Sequence, residues 1–390
     1  MANSEQLRIS IIEPTWNYRT HLPANLGLLR VVREAYPAAK INFVGGAEQI
    51  KFIIEMAPPD VQVDVSFHSW ETGEDKDTLP TDIYHSLKKL RKLPSEFTVG
   101  ASMILFSSCT ATTLAAATLM RLASKSFAVL HGNANDLLGW RSRNPLRKAF
   151  DFHGAMKWYC NQGGTPIVLE EIIRVELGKK LPWLSSRLKC LPHPIAPEEA
   201  APTPHNHNMN TPMRIAFAGN ASIAKGFPEF IELVEILTRE MPAAFEFHAF
   251  GYLPDESKCI DQFALTTKAT PATLPRSEYV KFLTSMDYIF TWHNEKYYTM
   301  AASGVVYDAI NFLVPLISRE TGQIAEWKKQ GLAIGYSFDS IASAAKYLST
   351  NKPKRMTDDY IEFLSNMITI RSSLSIQSAA KKLKQISNKN

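Results

Sequence analysis

One run of eight residues has the spacing for phosphate chemistry: Gly219-Asn220-Ala221-Ser222-Ile223-Ala224-Lys225-Gly226. It follows the apolar stretch Met213–Ala218 and precedes an amphipathic segment that begins at Phe227. A glycine at a strand end lets the backbone turn tightly and approach a ligand. A helix N-terminus presents free N–H groups and the positive end of a dipole to an anion, and Lys225 adds a point charge. The same run also reads as an ordinary strand-to-helix turn with a surface lysine. It is not a Walker loop, because the G-x-x-x-x-G-K-[ST] order is absent. A second run is Ser303-Gly304-Val305-Val306-Tyr307-Asp308-Ala309. Ser303 suits an N-cap. The amides of Ser303 to Val305 could then hold a diphosphate, and Asp308, about one turn further, a ribose diol. An N-capped helix with an acid in its early turns, which the dipole favours, is the plainer reading.

Other chemistry is argued against. Asp75-Lys76-Asp77 is a literal D-x-D, but it sits in the acidic stretch ETGEDKDTLPTD and reads as a solvated loop. Ser107-Ser108-Cys109 follows a strand without the G-x-S-x-G of a hydrolase nucleophile. The four cysteines, Cys109, Cys160, Cys190 and Cys259, lie far apart with no C-x-x-C, which fits a reducing compartment and no zinc ribbon. His193, His205 and His207 have no metal-ligand spacing and read as solvated linker residues. The net charge of +5 is spread over both halves, so no basic face or arm marks a nucleic-acid binder. No metal and no cofactor are expected.

These residues need elements to position them. At 390 residues, two domains are expected, and 45% apolar with 21% charged residues is ordinary for a globular chain. LRISIIE, INFVGG, VQVDVSF, SMILFSS, FAVLHG and MKWYCN read as strands, with a helix over NLGLLRVVREAY. Short apolar runs between helices predict a parallel sheet covered on both faces. Residues 194–212, rich in Pro, Asn and His, read as a linker. The pattern then restarts with MRIAFAG, AFEFHAFG, DYIFTW and PLIS as strands. Two doubly wound, Rossmann-like α/β domains facing a cleft follow: 1–193, then 213–368, with a helix and basic tail over 369–390. Val99 to Met120 is uncharged, but its Ser and Thr content reads as a buried strand and a small-residue helix rather than a membrane span. The N-terminus lacks a basic start and long apolar run, so a cytoplasmic location is expected.

The order of motifs from Met213 to about Gly335 resembles the nucleotide-sugar half of GT-B glycosyltransferases, family 4 of retaining enzymes. Gly219, Lys225 and Gly226 fall on that family's glycine and Lys-Gly positions with the right gap. Gly251 closes a strand as the family's glycine does. Asp287 stands at the Asp of its Ala-Asp strand, Asp308 at its second acidic position and Pro315 at its strand-initiating proline. The chain differs at Asn220 (Arg in the family), Met300 (acid), Ser303 (Gly) and Asp308 (Glu). The resemblance implies a hexosyltransferase that takes a UDP- or GDP-linked sugar to a glycan or lipid-linked acceptor, retaining and metal-independent. Its donor site would use Gly219, Asn220, Lys225, Gly251, Leu274, Ser303, Gly304, Val305 and Asp308, with Lys225 also countering charge on the leaving diphosphate.

The same resemblance gives the acceptor to the N-terminal half. Thr15, Trp16, Arg19 and His21 lie just after the first strand, where Trp16 could stack on a sugar and Arg19 hold an anion. His131 closes the strand FAVLHG near the transferred sugar. Asp136 is the candidate general base if the enzyme inverts. Leu137 to Lys148 and Leu87 to Leu93 mix apolar and basic residues, a composition suited to peripheral contact with an anionic membrane at its inner face. The rivals are a nucleotide-sugar epimerase on the same fold and a catalytically silent binding subunit.

Overall fold

The computed structural model describes residues 6–15, 21–70, 80–139, 141, 143–144, 148, 150–195, 211–294, 300–351 and 357–388. Trp16, Arg19, the D-x-D at 75–77, residues 196–210 of the linker, and Trp140, Leu146 and Arg147 of the basic stretch lie outside them. The chain forms two compact units. One comprises Met1–Ala196, Met300–Ala302 and Leu374–Asn390; the other comprises Pro197–Thr299 and Ser303–Ser373.

Among the described residues of the first unit, seven parallel strands form one sheet: β1 (Arg8–Ile12), β2 (Lys40–Gly45), β3 (Val65–Ser69), β4 (Met103–Phe106), β5 (Ser126–Val129), β6 (Thr165–Val168) and β7 (Lys189–Cys190). Their order is β3-β2-β1-β4-β5-β6-β7. Successive side chains of a strand point to opposite faces, and here both faces are apolar. Ile9 and Ile11, Ile41 and Phe43, and Leu105 join the helix Leu22–Ala35 and Leu383 of the last helix, Ile376–Ser387. Ile12, Val44, Ile104 and Phe106 join Leu90, Leu93 and Ala116 on the other face. Val99 to Met120 resolves into β4 and the helix Ala111–Leu119. Among the described residues no helix is long and apolar enough to cross a membrane.

One expected strand is a helix. Met156 to Asn161 lies in the helix Phe152–Asn161, whose buried residues are Ala155, Met156, Tyr159 and Cys160, a helical spacing. Asp151 caps it by accepting from the Gly154 amide at 2.8 Å. The short aromatic run resembles a strand only when its flanks are ignored.

The second unit has five parallel strands among its described residues: β8 (Met213–Ala218), β9 (Phe245–Phe250), β10 (Tyr288–Thr291), β11 (Leu316–Arg319) and β12 (Gly335–Phe338). Their order is β12-β11-β10-β8-β9. Counted within the unit this is 2-1-3-4-5 read from the other edge, the second common doubly wound order, with its switch point between the first and third strands. Ile215, Phe217 and Phe290 pack on Phe227, Phe230 and Leu237 of the helix Phe227–Glu240.

Candidate active site

In open α/β sheets ligands bind beyond the carboxyl ends of the strands, at the switch point. In the second unit that point lies between β8 and β10. The loops that leave these strands carry Gly219 to Gly226 and His293.

Three glycines bring the backbones there together. Gly219 has φ +88° and its amide donates to the Phe250 carbonyl at 2.9 Å. Gly251 has φ +124°, and a Cβ on it would stand 2.0 Å from the Gly219 carbonyl oxygen. Gly226 has φ +86°, and a Cβ there would stand 2.3 Å from the Trp292 carbonyl oxygen. A side chain at either of the last two would push the loops apart. Between them Ile223–Lys225 forms one 3-10 turn, and the Asn294 amide donates to the Ala224 carbonyl at 3.3 Å.

The helix Gly304–Phe312 starts beside this loop: a Cβ on Gly219 would lie 3.0 Å from a Val305 methyl. Ser303 occupies the N-cap position but makes no side-chain cap bond. Its hydroxyl instead pairs with His293 Nε2 at 3.2 Å. The amides of Gly304 and Val305 precede the first turn's bonds to the Ser303 carbonyl, made by Val306 and Tyr307, as at every helix start. Nothing lies within 4 Å of where a Gly304 Cβ would be. Lys225 makes no ion pair among the described residues, and burial pushes its ammonium down from the ordinary value. Burial, and then the Lys225 charge, hold His293 down to about 3, so its imidazole is neutral near pH 7. The Asn220 Oδ1 is buried without a hydrogen-bond partner, an acceptor that a ligand hydroxyl would satisfy. Amides, a lysine and a neutral histidine at a switch point are suited to an anionic group.

Asp308 faces Arg276, the first residue of the helix Arg276–Thr284, in a two-pronged pair of 2.7 and 3.0 Å. Arg276 also lies over the rings of Tyr279 and Phe312. A carboxylate has about four acceptor positions, so Asp308 keeps capacity for a diol. Leu274 is half-buried just ahead of that helix. His293 and Arg276 are absent from the sequence-based site. His293 had one signal, its place just past a strand end; Arg276 had none.

In the first unit, His21 and His131 come together, rings stacked 3.9 Å apart at 21°. His193 meets His131 edge-on at 6.0 Å, so it is not the solvated linker residue expected. Burial, then His193, pushes His21 down to about 4. Burial, then His131, pushes His193 to about 3, and burial with His21 holds His131 well below its ordinary value. His21 itself adopts a left-handed conformation, φ 66°, at the N-cap of its helix. Asp136 sits on the 3-10 turn Ala134–Leu137, and partial burial raises its carboxyl.

A residue outside the sequence-based site anchors this end of the sheet. Glu13, fully buried, follows β1. It accepts from the Thr15 amide at 3.0 Å, Asn25 Nδ2 at 3.3 Å and Ser107 Oγ at 2.9 Å, and from Ser108 Oγ. Ser107 and Ser108, weighed as nucleophiles, are thus donors to a buried carboxylate.

No family model matches the chain, and no curated protein does. Solved structures match over nearly its whole length. An α,α-trehalose-phosphate synthase (UDP-forming) from Burkholderia vietnamiensis is 10% identical, with a TM-score of 0.66 over 99% of both chains. An E. coli trehalose-6-phosphate protein bound with UDP-2-fluoro glucose is 12% identical, with a TM-score of 0.64 over 97% of this chain and 99% of that one. Anabaena HepE, in complex with UDP and glucose, is 9% identical, with a TM-score of 0.62 over 99% of this chain and all of that one. The chain has the GT-B fold.

Proposed function

We propose that this chain is a hexosyltransferase that moves a sugar from UDP or GDP to a glycan or lipid-linked acceptor. The observation that carries the reading is the convergence of Gly219, Lys225, His293 and the amides of Gly304 and Val305 at the switch point of the second unit. The UDP-2-fluoro glucose held by the E. coli protein, and the UDP and glucose held by the Anabaena protein, both of this fold, support it.

In the proposed reaction the bond between the anomeric carbon and the diphosphate oxygen breaks, and negative charge develops on the diphosphate. Lys225 and the two amides are fixed where that charge grows, so they need no reorganisation as it appears. Neutral His293 donates or accepts one hydrogen bond without adding charge. Asp308, oriented by Arg276, receives the ribose diol; Asn220, Gly251, Leu274 and Ser303 complete the donor pocket. The first unit recognises the acceptor, with Trp16, Arg19 and His21 the proposed contacts and His131 a proposed catalytic group near the transferred sugar. We assign a retaining, metal-independent reaction: the acceptor hydroxyl attacks from the side the diphosphate leaves, and a phosphate oxygen takes its proton. Asp136 is the base in the inverting version.

The test is release of UDP or GDP from a panel of sugar nucleotides, with and without mixed glycan and lipid-linked acceptors, in EDTA. Release that requires acceptor, with an axial anomeric product by NMR from an axial donor, supports the reading. Turnover without acceptor makes the chain an epimerase or hydrolase instead.

A further inference from the structure

The first unit carries another concave site, lined by none of the proposed donor and acceptor residues but by part of the basic stretch Leu87–Leu93. It is a cavity of about 460 Å³ at the carboxyl end of the edge strand β3, between His68 and Trp70 on one side and His85, Lys88, Lys89 and Lys92 on the other. The last four lie on the helix Pro80–Lys92. Their spacing, i, i+3, i+4 and i+7, puts them on one face. The helix turns a different stripe, Ile83 and Leu90, into the core. It therefore has two distinct faces, one apolar and buried, the other cationic and turned to the cavity.

This second face works against the helix. Lys88 and Lys92, four apart, repel each other, as do Lys89 and Lys92, three apart. The helix dipole favours cations in the last turn, but it gives no reason to gather them with two histidines around a cavity walled by an indole. Among the described residues Lys88 and Lys92 form no ion pair. The opposite wall is fixed in advance. The Trp70 amide donates to the Gly45 carbonyl at 3.1 Å, and its indole Nε1 donates to the Glu13 carbonyl at 3.1 Å. His68 leans on the Phe97 ring at 5.5 Å. A rigid aromatic wall facing an ammonium cluster suits a ligand that is apolar on one side and anionic on the other. A sugar ring with its C–H face against an indole and a charged substituent meets that description, and the volume is in the ordinary range for small-molecule sites.

We propose that this cavity binds an anionic saccharide, a sugar bearing a phosphate or carboxylate, with Lys88, Lys89 and Lys92 on the anion and the Trp70 ring on the sugar. The inference deepens the glycosyl-transfer reading by giving its acceptor a charge class. It rests on that reading for the acceptor role, and on the cavity alone for binding.

The experiment is calorimetric titration of the full chain with glucose 6-phosphate, glucuronate and glucose, at low ionic strength and with UDP present in excess. These probes share one ring and differ in charge. Glucose 6-phosphate and glucuronate should bind at least tenfold more tightly than glucose. The double substitution Lys88→Ala with Lys92→Ala should remove at least tenfold of that preference, and added salt should weaken it. Lys157→Ala, a control for net charge, should leave it intact. Both substituted lysines are exposed, and an unchanged melting temperature confirms that the variant folds. Equal binding of the charged and neutral sugars overturns the proposal. So does binding that the double variant retains, or a wild type that binds none of the probes. Vesicles of phosphatidylglycerol form a further arm: if the double substitution weakens vesicle binding and not sugar-phosphate binding, the lysines serve a lipid surface and the proposal fails. A separate UDP titration keeps the two readings apart. UDP binding without anionic-sugar binding sinks this inference alone; anionic-sugar binding without UDP binding sinks the donor reading alone.

Discussion

Acidification from pH 7.5 to 5.0 should cost the fold about 2 kcal/mol through His293 alone. In the folded chain burial, and then the charge of Lys225, hold this imidazole down to about 3. The unfolded value is about 6.5. At pH 5.0 the unfolded chain has therefore bound a proton that the folded chain has not. Stability falls wherever the unfolded state binds more protons as pH drops. The loss from this residue thus begins near 6.5, grows down to about 3 and is absent above about 7.5. Each pH unit inside that window is worth about 1.4 kcal/mol, and the 1.5 units from 6.5 to 5.0 give the figure stated. His21 and His193, depressed to about 4 and 3, add losses of the same sign. They cancel in a comparison with His293→Gln, whose amide can still bond the Ser303 hydroxyl. Urea unfolding of both proteins at the two pH values is the assay. The wild type should lose about 2 kcal/mol more than the variant on acidification. Equal losses would refute the picture of a desolvated, neutral His293 beside a charged lysine.

Gly251→Ala should lower stability by about 3 kcal/mol, from a strained positive φ and a methyl forced onto the Gly219 carbonyl, and should abolish nucleotide binding; an unchanged melting curve would contradict the close backbone approach. Glu13→Ala should cost about 3 kcal/mol or more, because it strands the buried donors of Asn25, Ser107 and Ser108, and denaturant titration reads this directly. Asp308→Asn should weaken UDP about tenfold and 2′-deoxy-UDP much less in calorimetry, since only the former presents a full diol to the carboxylate. An equal effect on both ligands would leave Asp308 as a partner of Arg276 and nothing more.

The architecture was legible where the sequence alternates short apolar runs with amphipathic stretches. β1, β4 and β8 are bracketed by turns, and each buries both faces. The helix Phe152–Asn161 reads as a strand in sequence because its apolar residues cluster at adjacent positions, a pattern that a six-residue window cannot distinguish from a strand. The turns around Gly219, Gly226 and Gly251 were legible because backbone at positive φ favours glycine, and all three adopt it. The tertiary pairings were not. Arg276 meets Asp308, and His193 meets His131, only once the chain has folded, and nothing local marks either. Glu13 looked like the polar end of a strand, and its burial depends on Ser107 and Ser108, which arrive on β4's loop. Cationic spacing on the helix Pro80–Lys92 was visible as a basic run, but its concave setting opposite Trp70 was not.

On the proposed reading the second unit holds a nucleoside diphosphate through Lys225 and the adjoining helix start. Calorimetric titration of wild type and Lys225→Ala with UDP, GDP, CDP, CMP and ADP tests it most directly. UDP or GDP should bind the wild type, raise its melting temperature by mass action, and bind Lys225→Ala at least tenfold more weakly. A wild type that binds none of the five, or a variant that binds as tightly as the wild type, would contradict it.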